Sequence, residues 1–291
     1  MPKENTHLWF ARGLLDHLAE TQMLKDISAH IDRYHLGSII PDTFFYSRDK
    51  SAEEVSEIIH GKGGRPTNTV IIRVLDNAKG MADLAFILGF ISHCALDITF
   101  HPMVNALSGN YYDEDPLEKR EAVYTHRHIE TCIDALIENP LRIYRLVRTH
   151  MLKGLVFEDV ICEDHSVPAR TQERTLAMQL FANRLFAGNN AYRFAKLLHK
   201  AGIIPSKEPL SLFYGNAREH PCITSLIHYR DIDTGTEKSE HLSSFFDRAR
   251  TKALGMMEGA WGYAHGTVTK ERLLEMIPGE NLSTGEPPVH F

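Results

Sequence analysis

Between Asp83 and Asp97 lie thirteen consecutive residues without a charge, LAFILGFISHCAL. A run this apolar has to leave water, yet it falls short of the roughly 20 residues that a bilayer-spanning helix needs. It therefore predicts a buried core helix around which the rest of the chain packs. Read outward, that helix spans Met81–Phe100 and is ended by Pro102, which lacks the backbone N–H that a helix interior requires. The surroundings agree with a helical architecture, since no convincing run of alternating strand residues is seen elsewhere. Thr6 is placed to cap a first helix through LWFARGLLDHLAE. Ser51 with Glu54 reads as a capping box opening a helix to His60, where Gly61 stops it. Pro116–Asn139 sets Ala122, Ile129, Ile133, Leu136 and Ile137 on one face, and Pro140 closes it. Further helices are expected at 141–153, 171–200 and 240–262, with loops at GSIIPDTFF and GKGGRPT and an irregular tail, PGENLSTGEPPVHF.

At 291 residues the length alone would suggest about two domains. No linker-like tract or internal repeat divides the chain, so the expectation is one all-α multi-helix domain over residues 1–291. Apolar residues at 43% and charged residues at 24% are ordinary for a globular protein and exclude disordered or fibrous classes. The net charge of −6 gives no basic stripe of the kind that long nucleic acids require, and no basic amphipathic helix or membrane anchor stands out. Four cysteines, Cys94, Cys132, Cys162 and Cys222, are widely spread with no C-x-x-C pair, which argues against a thiolate zinc site and a disulfide scaffold. The first twenty residues carry Lys3, Glu4, Arg12 and Asp16 and no apolar stretch, so the chain reads as soluble and cytoplasmic.

Histidine is the unusual residue: 17 in all, nine of them before residue 130. His93, Asp97 and His101 stand four residues apart, so on a helix each turns only about 40° from the last and all three share a face. An unpaired Asp97 among Phe90, Ile91, Leu96, Ile98 and Phe100 would cost several kcal/mol, so it needs a partner. That partner is either a divalent cation or a histidine hydrogen bond within the helix. His126 and Glu130 repeat the four-residue spacing, as a second ligand pair or an exposed ion pair, and Asp134 continues their stripe. His128 points about 200° away from His126 and is read as solvated or supporting. His7 sits in a first helical turn, Asp42 follows Pro41 in a rigid turn, and His60 ends its helix.

In order along the chain, His7, Pro41-Asp42, His60-Gly61, the H-x-x-x-D of His93 and Asp97 with His101, and the H-x-x-I-E of His126 and Glu130 resemble the zinc-dependent phospholipase C family. The resemblance covers residues 5–135 by motif. It implies an all-helical fold shared with the single-strand-specific zinc nucleases, and a cluster of two or three Zn2+ ions. Asp97 would bridge two of them. Asp42, His60 and His93 would complete one site, His101, His126 and Glu130 would make another, and His7 would serve a third. In the secreted enzymes that third site also uses the amine and carbonyl of an N-terminal tryptophan; this sequence begins Met-Pro-Lys, and Met1 or Pro2 would have to stand in. The spacing from Asp97 to His101 is also shorter than in those enzymes.

The resemblance implies a metal-dependent hydrolase of a phospholipid-like phosphodiester, with Asp42 as general base as well as ligand. Phe44, Phe45 and Tyr46 offer an aromatic entrance, or pack as core, and Arg65 is placed to meet a phosphate. Peripheral contact with a membrane is left open. The rivals are a nuclease or soluble phosphodiesterase on the same metals, and a non-catalytic metal-stabilised protein. A phosphohydrolase of the HD type would need a His-Asp dipeptide, and none occurs. Glu163-Asp164-His165 and the pair His220 and His228 read as solvated loop residues.

Overall fold

The computed structural model describes residues 3–109, 114–137, 142–232 and 234–288. In chain order its α-helices are α1 (Glu4–Leu15), α2 (Gln22–Ala29), α3 (Ile31–Gly37), α4 (Lys50–Ile59), α5 (Thr69–Asp76), α6 (Met81–Ser108) and α7 (Pro116–Leu136). There follow α8 (Ile143–Leu146), α9 (Val156–His165), α10 (Ala169–Phe186), α11 (Asn189–Lys200), α12 (Tyr214–Glu219), α13 (Leu242–Ala264) and α14 (Lys270–Met276). A 3-10 turn at Ile40–Tyr46 joins α3 to α4. Among the described residues the fold is all-α apart from one hairpin.

The apolar run sits at the centre. Long and apolar enough on its own terms to cross a membrane, α6 has 89% of its most apolar stretch buried inside the protein, so it is the core helix. Phe86 and Phe90 stack around Phe157 of α9, with centroids 5.0 and 6.3 Å away. Further along, Phe100 meets Phe245 and Phe246 of α13. Side chains of this size each stabilise by about 1.5–3 kcal/mol when fully buried. The crossing of α3 over α6 is closer still. A Cβ on Gly37 would lie 2.0 Å from the Phe86 carbonyl oxygen, and one on Gly89 would lie 2.0 Å from that of Tyr34. Only glycine at both positions lets the two backbones touch.

Several expectations need correction. Pro102 does not end α6, which continues to Ser108. Met103, Val104 and Ser108 are buried, and Asn105 Nδ2 donates to the Ser283 carbonyl at 2.7 Å, contacts that outweigh the one lost ladder bond. Thr6 caps nothing: α1 begins two residues earlier, and the Thr6 hydroxyl donates instead to Asp134 Oδ1 at 2.6 Å. The cap of α4 is Asp49, whose carboxylate accepts from the Ser51 N–H at 3.0 Å and the Ser51 hydroxyl at 2.7 Å. Of the α7 stripe, Leu136 is exposed, while Asn139 and Pro140 lie outside the described residues. The segment 171–200 is two helices, broken at Ala187 and Gly188. In place of a helix over 141–153, α8 is followed by a 3-10 turn at Thr149–Leu152.

Strands exist after all. Leu226–Arg230 (β1) and Glu237–His241 (β2) pair antiparallel, Leu226 opposite His241. Only β1 has an apolar face, burying Ile227 and Tyr229, whereas β2 consists entirely of polar residues and so gives no hydrophobic alternation in the sequence. The helix α11 is amphipathic in an unexpected sense. It buries Tyr192 and turns Phe194 and Leu197 outward, beside the exposed Arg193 and Lys200. The tail beyond Pro278 is irregular, as expected, yet Leu282 is fully buried.

Candidate metal centre

Asp42, His60, His93 and Asp97 come from three separate places. The 3-10 turn presents Asp42, and Ser56 ties that turn to α4: its hydroxyl accepts from the Phe44 N–H at 3.2 Å and donates to the Pro41 carbonyl at 2.5 Å. His60 is the C-terminal cap of α4, released by Gly61 at φ 93°. That glycine is required twice over, because a Cβ would also strike the Asn281 side chain at 2.7 Å. His93 and Asp97 project together from α6.

The four side chains aim at one point. His60 Nε2 lies 3.3 Å from Asp42 Oδ1 and 3.5 Å from Asp97 Oδ2. His93 Nε2 lies 3.6 and 3.1 Å from the same two oxygens. A tetrahedral zinc with ligands at about 2.0–2.1 Å sets neighbouring ligand atoms about 3.3 Å apart, which is the centre of this range. The same atoms, His60 Nε2, His93 Nε2, Asp42 Oδ1 and both oxygens of Asp97, are buried without a hydrogen-bond partner. Polar atoms in that condition are unstable unless something else satisfies them.

The far side of each ring is fixed. His60 Nδ1–H donates to the Ser56 carbonyl at 2.6 Å, and His93 Nδ1–H to the Ser38 carbonyl at 3.0 Å. These bonds choose the tautomer that leaves Nε2 as a lone pair facing the cluster. Ser38 reaches His93 because Gly37 and Gly89 let α3 lie so close to α6.

His7 enters from α1 and lies against the other oxygen of Asp97, Nε2 to Oδ1 at 3.3 Å. Its ring stacks on His93 at 3.8 Å between centroids. Asp97 is thus shared between His7 and the first group. A separate trio, His101, His126 and Glu130, brings its ligand atoms together from α6 and α7. His126 Nε2 is 2.9 Å from Glu130 Oε1, and the His101 and His126 rings stack at 5.6 Å. His101 Nδ1–H donates to the carbonyl of Leu282, so the irregular tail orients a histidine of the cluster. The same Leu282 donates its N–H to the His60 carbonyl at 3.2 Å, linking both groups.

Charge is arranged for a cation. Burial alone would raise the pKa of Asp97 and Asp42; the facing histidines overcome this and hold Asp97 well below the usual carboxylate range and Asp42 below it. Burial would depress His60, but Asp42 and Asp97 against its Nε2 push it up to about 9, so without a cation that nitrogen holds a proton, which metal binding would displace. Burial holds His7 down, His101 to about 3, and His126 well below normal. Neutral imidazole is the form that binds metal.

The remaining candidates separate. Phe44 is fully buried against Phe157 and belongs to the core. Phe45 is 37% exposed with its ring 5.3 Å from that of His60, so it is the aromatic beside the cluster that solvent reaches. The Tyr46 hydroxyl donates to Glu4, and Arg65 is exposed after the Lys62–Gly64 turn. Asp134 does not join Glu130 at the cluster; it accepts from Asn5, Thr6 and Tyr214, bolting α1 to α7. His128 is buried, not solvated, donating from Nε2 to the His220 carbonyl at 2.6 Å and accepting from Asn216 at Nδ1. Glu163 and Asp164 lie on α9, where Arg73 pairs with both.

Ninety residues apart in sequence, Cys132 and Cys222 meet with sulfurs 3.1 Å apart beside His128. Both nitrogens of that ring are already committed, so this trio lacks the unpartnered Nε2 atoms that His60 and His93 present. Met1 and Pro2 lie outside the described residues.

An all-helical fold around this set of buried imidazoles and carboxylates is built as a candidate metal-binding protein with nitrogen and oxygen ligands. The model of the zinc-dependent phospholipase C family matches residues 6–190, well over half of the 291-residue chain, and the chain belongs to that family. No curated protein and no solved structure matches it.

Proposed function

We propose that the protein is a phospholipase C-like hydrolase, cleaving a phospholipid phosphodiester to a diacylglycerol-type alcohol and a phosphorylated headgroup. The observation that carries this is the convergence of unpartnered Nε2 and carboxylate atoms at a tetrahedral zinc spacing. Asp42, His60, His93 and Asp97 would hold one Zn2+, and His101, His126 and Glu130 another. His7, with the second oxygen of Asp97, would contribute to a third, giving two or three ions per chain. When bound, the metals supply a water ionised near neutral pH and positive charge against the phosphoryl oxygens.

The chain's own residues do the rest. Asp42 is the general base: it is held ionised by His93 and His60, and the 3-10 turn brings it to the cluster independently of α6. Its carboxylate takes the proton of the attacking water. Ser56 keeps the Asp42 turn in register with His60, and Phe45 presents an apolar face at the mouth. Ser38 and Leu282 hold His93 and His101 in the binding tautomer.

The test combines elemental analysis with turnover. Protein purified without chelator should carry two or three zinc ions, and hydrolysis of a chromogenic phosphocholine ester or short-chain phosphatidylcholine should exceed that of single-stranded DNA. Asp42→Asn should keep much of the metal and lose most turnover. Faster cleavage of single-stranded DNA with no release from either phosphocholine substrate would make it a nuclease. Full zinc with no turnover on any phosphodiester would make it a non-catalytic relative.

A further inference from the structure

The hairpin of α10 and α11 wears its apolar residues on the outside. Phe181, Leu185, Phe194, Leu197 and Ile203 are between 42% and 67% exposed. They are five of the twelve large apolar side chains exposed among the described residues, and they fall within 23 consecutive positions. Packing accounts for the opposite faces only. In α10, Gln179 and Asn183 turn inward, Gln179 accepting from Thr43 at 2.7 Å and Asn183 donating to Glu4 at 3.3 Å. Phe181 and Leu185 stand about 200° round from that pair. In α11, Tyr192 turns inward while Phe194 and Leu197 face solvent.

The charge on this hairpin runs against the rest of the protein. Residues 174–207 contain six lysines and arginines and no aspartate or glutamate, in a chain of net charge −6. Neighbouring elements answer two of the six: Glu219 of α12 pairs with Lys196, and Glu121 of α7 with Lys207. Arg184, Arg193 and Lys200 are exposed and make no ion pair among the described residues. Outward Phe and Leu between unpaired cations are suited to a surface that is apolar in depth and anionic at its rim.

We infer that the α10–α11 hairpin is the face by which this protein docks on an anionic phospholipid membrane. Phe181, Leu185, Phe194 and Leu197 enter the acyl boundary, and Arg184, Arg193 and Lys200 meet the headgroup phosphates. The biological sense of the inference rests on the phospholipid reading above, although vesicle binding itself does not. The placement suits that reading, because the inner face of α10 packs directly on the turn that carries Asp42. One helix, about 10 Å thick, separates the docking face from that turn.

The experiment is vesicle flotation of the full chain, with soluble phosphocholine ester turnover measured in parallel. Vesicles of phosphatidylcholine with phosphatidylserine should carry the protein up the gradient, and phosphatidylcholine alone or high salt should do so far less. Phe194→Ser with Leu197→Ser should lower vesicle partitioning at least tenfold. Arg184→Gln with Arg193→Gln and Lys200→Gln should lower it about a hundredfold on anionic vesicles. Both sets should leave soluble ester turnover and melting temperature unchanged. A wild-type protein that does not float overturns the docking face, as does a Phe194→Ser, Leu197→Ser variant that floats equally well. Concentration-dependent dimerisation without flotation, abolished by the same variant, would also overturn it, making the face a self-association surface. A protein that floats yet hydrolyses no phosphodiester leaves the docking face standing and refutes the proposed activity instead.

Discussion

Replacing Gly89 by alanine tests whether the α3–α6 contact sets the metal site. The new Cβ would sit 2.0 Å from the Tyr34 carbonyl oxygen, and an unstrained contact needs about 3.4 Å, so α3 must retreat by about 1.4 Å. Ser38 moves with α3. Its carbonyl now accepts from His93 Nδ1 at 3.0 Å, and the same retreat stretches that bond to about 4.4 Å, beyond hydrogen-bonding range. Loss of an outer partner to a metal-binding histidine lowers affinity about 10–100-fold, or about 1.4–2.8 kcal/mol. Overpacking adds about 1–3 kcal/mol. At about 2.1 cal/mol/K per residue, a chain of 291 residues unfolds with an entropy near 0.6 kcal/mol/K, so Gly89→Ala should melt about 4–10 °C lower. Chelator competition should show weakened zinc, and calorimetry with and without metal should separate the two contributions. Gly13→Ala is the control: Gly13 is helical with no neighbour within 4 Å of its would-be Cβ, so it should gain up to about 1 kcal/mol. A Gly89→Ala protein with unchanged melting temperature and zinc affinity would refute the reasoning.

Three other outcomes are expected. Stripping metal with a chelator should lower the melting temperature by about 7 °C for each ion previously held at a thousandfold excess over its Kd, and calorimetry with readdition of zinc should recover it. Asp134→Ala should destabilise by about 3–5 kcal/mol in urea titration, since it strands the buried Thr6, Asn5 and Tyr214 donors; a loss under about 1 kcal/mol would mean that α1 is held otherwise. His35 is buried with its pKa lowered to about 4, burial being the main cause. The unfolded chain therefore binds the extra proton between about pH 6.5 and 4, and stability falls as pH drops through that window. Relative to wild type, His35→Phe should show a shallower loss there, and identical pH profiles would exclude the assignment.

The amino-acid order carries the centre of this molecule and loses its edges, for physical reasons. The thirteen-residue run dictates α6 because no other element tolerates so many consecutive apolar side chains. His93 and Asp97 are legible because helical periodicity makes neighbours of positions four apart. Which oxygen of Asp97 faces His7 is not, since that depends on how α1 lies over α6. Leu282 is invisible: its contribution is a backbone carbonyl, and any residue provides one. Cys132 and Cys222 lack a local spacing to betray them. The outward direction of Phe194 and Leu197 is hidden because a helix that buries Tyr192 and exposes Phe has the periodicity of any amphipathic helix. Periodicity reports that two faces differ, not which one meets the protein.

The distance along the chain from His7 to Leu282 has a consequence for biogenesis. At roughly 5–20 residues per second, Leu282 leaves the ribosome about 14 to 55 seconds after His7. Through that interval α6 can bury its apolar face and the first imidazoles can meet Asp97, but His101 has no acceptor to turn its Nε2 toward Glu130. The cluster is therefore finished only once the segment around Leu282 has emerged. Under the proposed zinc assignment, metal capture by the His101 trio would be a late event, timed by translation of the tail and sensitive to any premature stop upstream of it.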